Sequence, residues 1–259
     1  MRPIEQMPPE VSRHIDTVFS DIDDTLTLSG LIPEQAFSAL WQARRAGVRV
    51  VLITGRPAGW CDHLARMWPI SGVIGENGAL AFGLSQGRMR RLYADRPADA
   101  DERLARIRQQ IVAEVPRCKV AADQAFRFFD LGIDISEEVS PLADEEIDRI
   151  VAIFEQHGAI AKVSSVHVNG WFGEFDKLTM CERWCEQFWG QPLDTSRATF
   201  VGDSPNDEPM FGRFQHGCGV ANIRQFVHRM RALPSYVTAS EGGHGFAELV
   251  GHLLAGRRD

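Results

Sequence analysis

Lysine is nearly missing from this chain. Of 28 basic residues in 259, only Lys119, Lys162 and Lys177 are lysines, and the rest are arginine. Arginine meets carboxylates and phosphates as a planar fork, so the few lysines mark positions where a compact, strongly hydrated charge serves instead. Positive charge is short overall. The net charge is −7 at pH 7, which speaks against general affinity for nucleic acid or for an anionic membrane surface. No uninterrupted apolar run nears membrane-spanning length, and the first ten residues hold no apolar segment of the signal-peptide kind. Cysteine is sparse and unpatterned. The five cysteines (61, 118, 181, 185 and 218) are odd in number and lack C-x-x-C spacing, while Cys181 and Cys185 stand one helical turn apart, as packing partners do. The expectation is a soluble, reduced, cytoplasmic protein without a membrane or nucleic-acid partner. Its oligomeric state is not legible.

What is present starts with Thr17-Val-Phe-Ser-Asp21-Ile-Asp23-Asp24-Thr25. An apolar run of buried-strand type ends in three carboxylates within four positions. Period-two geometry puts Asp21 and Asp23 on one face, with Ile22 turned away. Paired carboxylates at a strand end invite a divalent cation, and a nucleophile beside an acid/base. A strand end followed by an Asx-turn is the competing explanation.

Downstream, Phe37, Leu40, Trp41 and Arg44 follow helical spacing after Pro33, and Val48–Ile53 reads as a buried strand ending at Thr54-Gly55-Arg56. A helix over 57–67, a strand at 72–74 and the loop Gly75-Glu76-Asn77-Gly78 complete a β-α-β-α-β pattern, which predicts a parallel, right-handed α/β sheet. The texture changes near Leu84. Strands at 88–93, 127–135 and 159–169 alternate with helices at 99–115 and 142–157, an α+β unit of roughly 85 residues. The α/β pattern then resumes with a helix at 178–189 and the strand Ala198–Val201, ending in Gly202-Asp203-Ser204-Pro205-Asn206-Asp207. Helices at 208–214, 224–233 and 245–254 follow. The predicted organisation is a core of residues 1–83 and 172–259 split by an insertion at 84–171.

Three predicted core strands thus end in polar signals: Asp21/Asp23, Thr54 and Asp203/Asp207. In open α/β sheets ligands bind beyond the carboxyl ends of the strands, so these signals converge. Four carboxylates at one place repel unless a cation neutralises them, and a hard dication with oxygen ligands, Mg²⁺ for preference, meets that need. Thr54-Gly55 supplies a hydroxyl and N–H groups at a helix N-terminus, a phosphate site. Lys177 can balance a phosphoryl group and a carboxylate.

Taken together, these residues resemble the motifs of the haloacid dehalogenase (HAD) superfamily phosphatases. Asp21-x-Asp23-x-Thr25 is similar to the first motif, Thr54 to the second, Lys177 to the third and Gly202-Asp203-Ser204-x-Asn206-Asp207 to the fourth. Only 29 positions separate Thr25 from Thr54, whereas 123 separate Thr54 from Lys177. An insertion there resembles the C2-type cap of subclass IIB, which includes Cof-like, sucrose-phosphatase-like and mannosyl-3-phosphoglycerate phosphatase-like members. The resemblance implies a Rossmann-like core with an α+β cap, and a Mg²⁺-dependent phosphomonoesterase acting on a small phosphorylated metabolite, a sugar phosphate for preference. It also implies roles. Asp21 is the expected nucleophile and Asp23 the general acid and base. Mg²⁺ is expected on Asp21, the backbone carbonyl of Asp23, Asp203 and Asp207. Thr54 and Lys177 are expected to bind the phosphoryl oxygens, with Gly55, Arg56, Asn77 and Asn206 as further phosphate or substrate contacts. The chain departs from the family pattern in two places: Asp24 stands where Gly is common, and Lys177 lies in Glu-Phe-Asp-Lys-Leu rather than Gly-x-Ser-Lys-Gly.

Some positions stay open at this level. Arg56 fits a substrate contact or a salt bridge, and Asn77 a substrate contact or a plain Asn-Gly turn. Trp171 and Phe172 fit a sugar-stacking face or a hinge. His244 is expected in a loop, and Arg103, Arg106 and Arg117 on a solvated face. A phosphomannomutase-like mutase and a non-catalytic phosphometabolite-binding protein are the alternative functions.

Overall fold

A strand covered on both faces is buried along its whole length, as Thr17–Asp21 and Ala198–Gly202 are, the first with polar Thr17, Ser20 and Asp21 among its residues. The computed structural model describes residues 1–164 and 166–257. Among these, the elements run β1 (Arg2–Pro3), α1 (Pro9–His14), β2 (Thr17–Asp21), α2 (Glu34–Arg45), β3 (Arg49–Ile53), α3 (Ala58–Met67), β4 (Gly72–Gly75), β5 (Leu80–Ser85) and β6 (Arg88–Tyr93). The middle of the chain gives α4 (Ala100–Glu114), β7 (Lys119–Val120), β8 (Leu131–Asp134), α5 (Asp144–Gln156), β9 (Ile160–Val163) and β10 (His167–Trp171). Then come α6 (Lys177–Trp184), β11 (Ala198–Gly202), α7 (Glu208–Arg213), β12 (Cys218–Gly219), β13 (Tyr236–Val237) and α8 (Gly242–Ala255).

The strands form two sheets. The larger has the order β1-β13-β12-β11-β2-β3-β4-β5-β6, parallel from β1 through β4 and antiparallel over its last two strands. Its register sets Asp21 opposite Ile53 and Val201 opposite Ser20. The carboxyl ends of β2, β3 and β11 therefore finish side by side. The smaller sheet, β7-β8-β10-β9, is antiparallel. Helices α4 and α5 bury Ile107, Ile111, Ile150, Ile153 and Phe154 with Ile133 and Val168 in a second apolar core.

Several elements differ from the sequence expectation. Arg88–Tyr93 is a strand, but it pairs with β5 at the edge of the larger sheet rather than with the inserted unit. The turn Gln86-Gly87 has positive φ at both residues (52° and 74°), the geometry of a tight hairpin, and Met89 and Leu92 pack on the larger core. A boundary drawn at 83/84 thus cuts through a hairpin. In 127–135 only Leu131–Asp134 is strand, because Arg127 turns back to bind Asp123 and Asp130. The segment after β12 is a 3₁₀ helix over Ala221–Arg229. His244 lies in the first turn of α8 rather than in a loop. Phe172 is buried in the second core with the Arg103 guanidinium 3.6 Å from its ring centroid, so neither faces a substrate. All five cysteines are free and buried. Among the described residues no helix is long and apolar enough to cross a membrane.

Candidate active site

The ends of β2, β3 and β11 and the start of α6 bring the charged residues together. At β2 the chain leaves the strand through Asp24, whose φ of 55° is a left-handed turn that Asp tolerates, and the N–H groups of Leu26 and Thr27 bond the Ile22 carbonyl. Lys177 opens α6 behind Asp176, whose carboxylate accepts from the Thr179 N–H at 2.7 Å and caps the helix. Gly78, at φ 105°, allows the 76–78 turn to press on this cap: a Cβ there would lie 2.0 Å from the Asp176 carbonyl oxygen. At the end of β11, a Cβ on Gly202 would lie 2.3 Å from Asp207 Oδ2. Gly78 lets two backbone segments touch and Gly202 lets the Asp207 carboxylate approach the strand.

The Lys177 ammonium donates to Asp21 Oδ1 at 2.7 Å and to Asp207 Oδ1 at 2.8 Å, all three groups being buried. Asp207 Oδ2 accepts from the Asp203 N–H at 3.1 Å. Asp203 accepts from Thr25 Oγ1 at 3.2 Å and from Asn222 Nδ2 at 3.3 Å. Asn222 also donates to the Asp24 carbonyl at 2.9 Å and accepts from the Gly242 N–H, tying the first turn to α8.

One ammonium does not neutralise three buried carboxylates. Burial pushes the Asp21 carboxyl up to about 8 against the pull of Lys177, with Asp207 and Asp23 adding to the rise. Asp203 is likewise raised well above the usual carboxylate range by burial and by Asp207 and Asp21. Burial works against the Lys177 charge, but Asp207 and Asp21 more than offset it and raise its pKa. Asp21, Asp203 and Asp207 each offer an oxygen, all within 4.8 Å of one another. An all-oxygen, buried and undercompensated donor set fits a hard dication.

Asp23 stands apart from that cluster. Its carboxylate is held bidentately by Arg56, with Nε at 3.0 Å and Nη2 at 2.8 Å from Oδ1. Arg56 is buried, pairs through Nη1 with Glu137 at 2.7 Å and lies over the Trp60 ring. Glu137 in turn meets His167 Nε2 at 2.9 Å, and His167 and Arg56 hold the Glu137 carboxyl down to about 2. Arg56 therefore joins the core to the inserted unit, and its ambiguity in the sequence resolves as an ion pair on both sides.

Thr54 is buried and its Oγ1 accepts from the Arg56 N–H at 3.0 Å, so it does cap the turn into α3 while standing beside Asp21 in the sheet. The Gly55 carbonyl accepts from Arg127 at 2.8 Å. Asn77, at φ 56°, is buried, and its Nδ2 has no partner among the described residues. Asn206 accepts from Ser204 Oγ at 2.8 Å. A hollow of about 10 Å³ is bounded by Asp21, Asp23, Asp203 and Asn206 from below and by His167 and Asn169 from the smaller sheet.

Glu137, His167, Asn169 and Asn222 were not singled out from the sequence. His167 and Asn169 alternate in a strand whose residues are all buried; polar residues at period two in an otherwise apolar run were the available signal. Asn222 carried none.

A family model described as haloacid dehalogenase-like hydrolase matches residues 18–103. A phosphoglycolate phosphatase from Pyrobaculum neutrophilum is 27% identical over 91% of this chain and 94% of its own length. Among solved structures, a Thermoplasma acidophilum protein superposes with a TM-score of 0.73 at 20% identity, covering 93% of this chain and 98% of that one. A subclass IIB sugar phosphatase superposes with a TM-score of 0.63 at 16% identity, covering 92% and 98%. With its four motifs in order around one sheet edge, a parallel-sheet core and an inserted α+β unit, the chain is similar to the haloacid dehalogenase-like hydrolases in sequence over residues 18–103 and to these solved structures in fold.

Proposed function

We propose that this enzyme hydrolyses a small phosphomonoester through an aspartyl-phosphate on Asp21, with Mg²⁺ as cofactor. The observation that carries this is the Lys177 ammonium shared between Asp21 and Asp207 with Asp203 alongside. Asp21, Asp203 and Asp207, with the Asp23 backbone carbonyl, would hold Mg²⁺, which when bound supplies charge neutralisation at the phosphoryl oxygens. Lys177 aims Asp21 and, together with a bound dication, would favour its ionised form, so that its free oxygen attacks phosphorus in line. Thr54 and Lys177 bind the phosphoryl oxygens and so fix the phosphorus in front of Asp21. Asp23 gives a proton to the departing alkoxide and then takes one from the water that cleaves the aspartyl-phosphate. Catalysis of this kind is chiefly positioning and charge stabilisation.

In this arrangement Arg56 holds Asp23, and the hollow has room for no more than about one water. Substrate entry therefore requires the inserted unit to lift and the Arg56–Glu137 pair to part. Residues of that unit, which we take as the specificity cap, then close on the leaving group. A sugar phosphate follows from the subclass IIB likeness, and a two-carbon phosphorylated acid from the name of the Pyrobaculum relatives. The test is release of phosphate, with Mg²⁺, from a panel of phosphorylated sugars, phosphorylated hydroxy acids and nucleotides. Turnover that disappears in Asp21→Asn supports the proposal. An isomerised phosphosugar without free phosphate would make the enzyme a mutase, and turnover surviving in Asp21→Asn would sink the mechanism.

A further inference from the structure

A second hollow, of about 30 Å³, adjoins the first and shares Asn206 with it. Its walls include Lys177 and Asn77 from the core and Lys162 and Trp171 from the smaller sheet. Lys162 lies on β9 directly across from Asn169 of β10, and opposed residues in an antiparallel pair share a face. Asn169 bounds the catalytic hollow, so Lys162 looks toward the core as well.

The polar chemistry of this hollow is one-sided. Two of its side chains carry buried donors with no partner among the described residues, Asn77 Nδ2 and Trp171 Nε1. Asn77 is 5% exposed and Trp171 1%. Lys162 has no ion pair among the described residues, in a chain with only three lysines. The one carboxylate on the wall, Asp176, is occupied as the cap of α6. Buried donors without acceptors are costly, and the natural complement is a group that only accepts. A carboxylate is such a group. A sugar hydroxyl also accepts, but it carries no charge to complement the Lys162 ammonium.

Resting on the proposed hydrolysis, we infer that this hollow is the leaving-group subsite and that it takes a carboxylate. Lys162 supplies the charge, and Asn77 and Trp171 supply hydrogen bonds. The substrate class is then a short phosphorylated hydroxy acid rather than a neutral sugar phosphate. Lys162 is a specificity-determining residue of the cap, while Lys177 serves the phosphoryl group next to it.

The experiment measures kcat and KM with Mg²⁺ for 2-phosphoglycolate, 3-phosphoglycerate and glucose 6-phosphate, in the unaltered enzyme, Lys162→Gln and Lys162→Arg. The inference expects the unaltered enzyme to prefer the acids. It expects that preference, as a ratio of kcat/KM values, to fall about tenfold in Lys162→Gln, mainly through KM, as loss of a charge-assisted hydrogen bond implies. Lys162→Arg keeps most of the ratio. A preference for glucose 6-phosphate, or an equal loss on all three substrates, would overturn the subsite. Absence of phosphate release from every phosphomonoester would instead remove the hydrolysis on which it rests.

Discussion

The two sheets place functional side chains in opposite ways. In the larger sheet they stand just beyond strand ends, on short turns whose own residues shape them: Asp24 at positive φ, Asp176 as a helix cap, Gly78 and Gly202 as backbone pressed against a neighbour. In the smaller sheet they stand in strand interiors. Lys162, His167 and Asn169 face the site because the register of β9 and β10 turns that face to the core. A site made from turns is rigid and supports chemistry that must not vary. A site made from a strand face exchanges side chains without disturbing the backbone, which suits the part that selects a leaving group.

This contrast has consequences that substitutions can break. The largest effect is expected at Gly78→Ala. The φ of 105° and an oxygen 2.0 Å from the new Cβ leave no room, so the 76–78 turn must move off α6. A loss of about 3 kcal/mol or more in denaturant unfolding is expected, together with displacement of Lys177 and a fall in activity. A stable variant with ordinary activity would show that the turn does not position α6. Next comes Asn222→Ala. Asn222 bonds both Asp203 and the Asp24 carbonyl, so its loss frees a carboxylate of the expected metal site. Mg²⁺ affinity by titration calorimetry should weaken about ten- to hundredfold, as for partners of metal ligands elsewhere; an unaltered affinity would limit Asn222 to a structural tie.

The smallest effect is one of slope, at the seam between the sheets. Glu76 is fully buried and accepts from the N–H groups of Ala58 in the core and Phe128 and Phe129 in the inserted unit. Burial, with Asp130 nearby, pushes its carboxyl up to about 7. A folded-state pKa above that of the unfolded chain means that the folded protein retains a proton the unfolded chain releases. The stability that this carboxyl contributes is therefore fully present below about pH 4.5, falls as pH rises toward about 7 and levels off beyond. Unfolding midpoints across this range should lose that segment of the slope in Glu76→Gln. An identical pH profile in the variant would remove Glu76 as its source.

How much was legible in the sequence follows the same division. The carboxylates, Thr54 and Lys177 announced themselves because each lies within a few residues of the turn that presents it, so local pattern and position agree. Asp23 was paired with Asp21 from strand alternation, but its ion pair with Arg56 depends on a neighbouring strand and a cap loop, which no local spacing encodes. The partners Glu137, His167 and Asn169 stayed hidden for that reason. Arg88–Tyr93 read correctly as a strand, yet its sheet was misassigned, because pairing with β5 is decided by the Gln86-Gly87 hairpin rather than by composition. His244 was expected in a loop since glycines surround it; those glycines instead let the first turn of α8 approach the Leu26 and Thr27 carbonyls.

The central claim is that Asp21 carries the phosphoryl group. Acid quenching during turnover of a hydrolysed phosphomonoester with Mg²⁺, followed by mass spectrometry of the peptide containing Thr17–Thr27, tests it most directly. The account predicts the mass of one added phosphoryl group on Asp21, absent in Asp21→Asn, which also fails to release phosphate. Steady turnover with no phosphorylated Asp21 at any quench time, or phosphate release by Asp21→Asn, would contradict it.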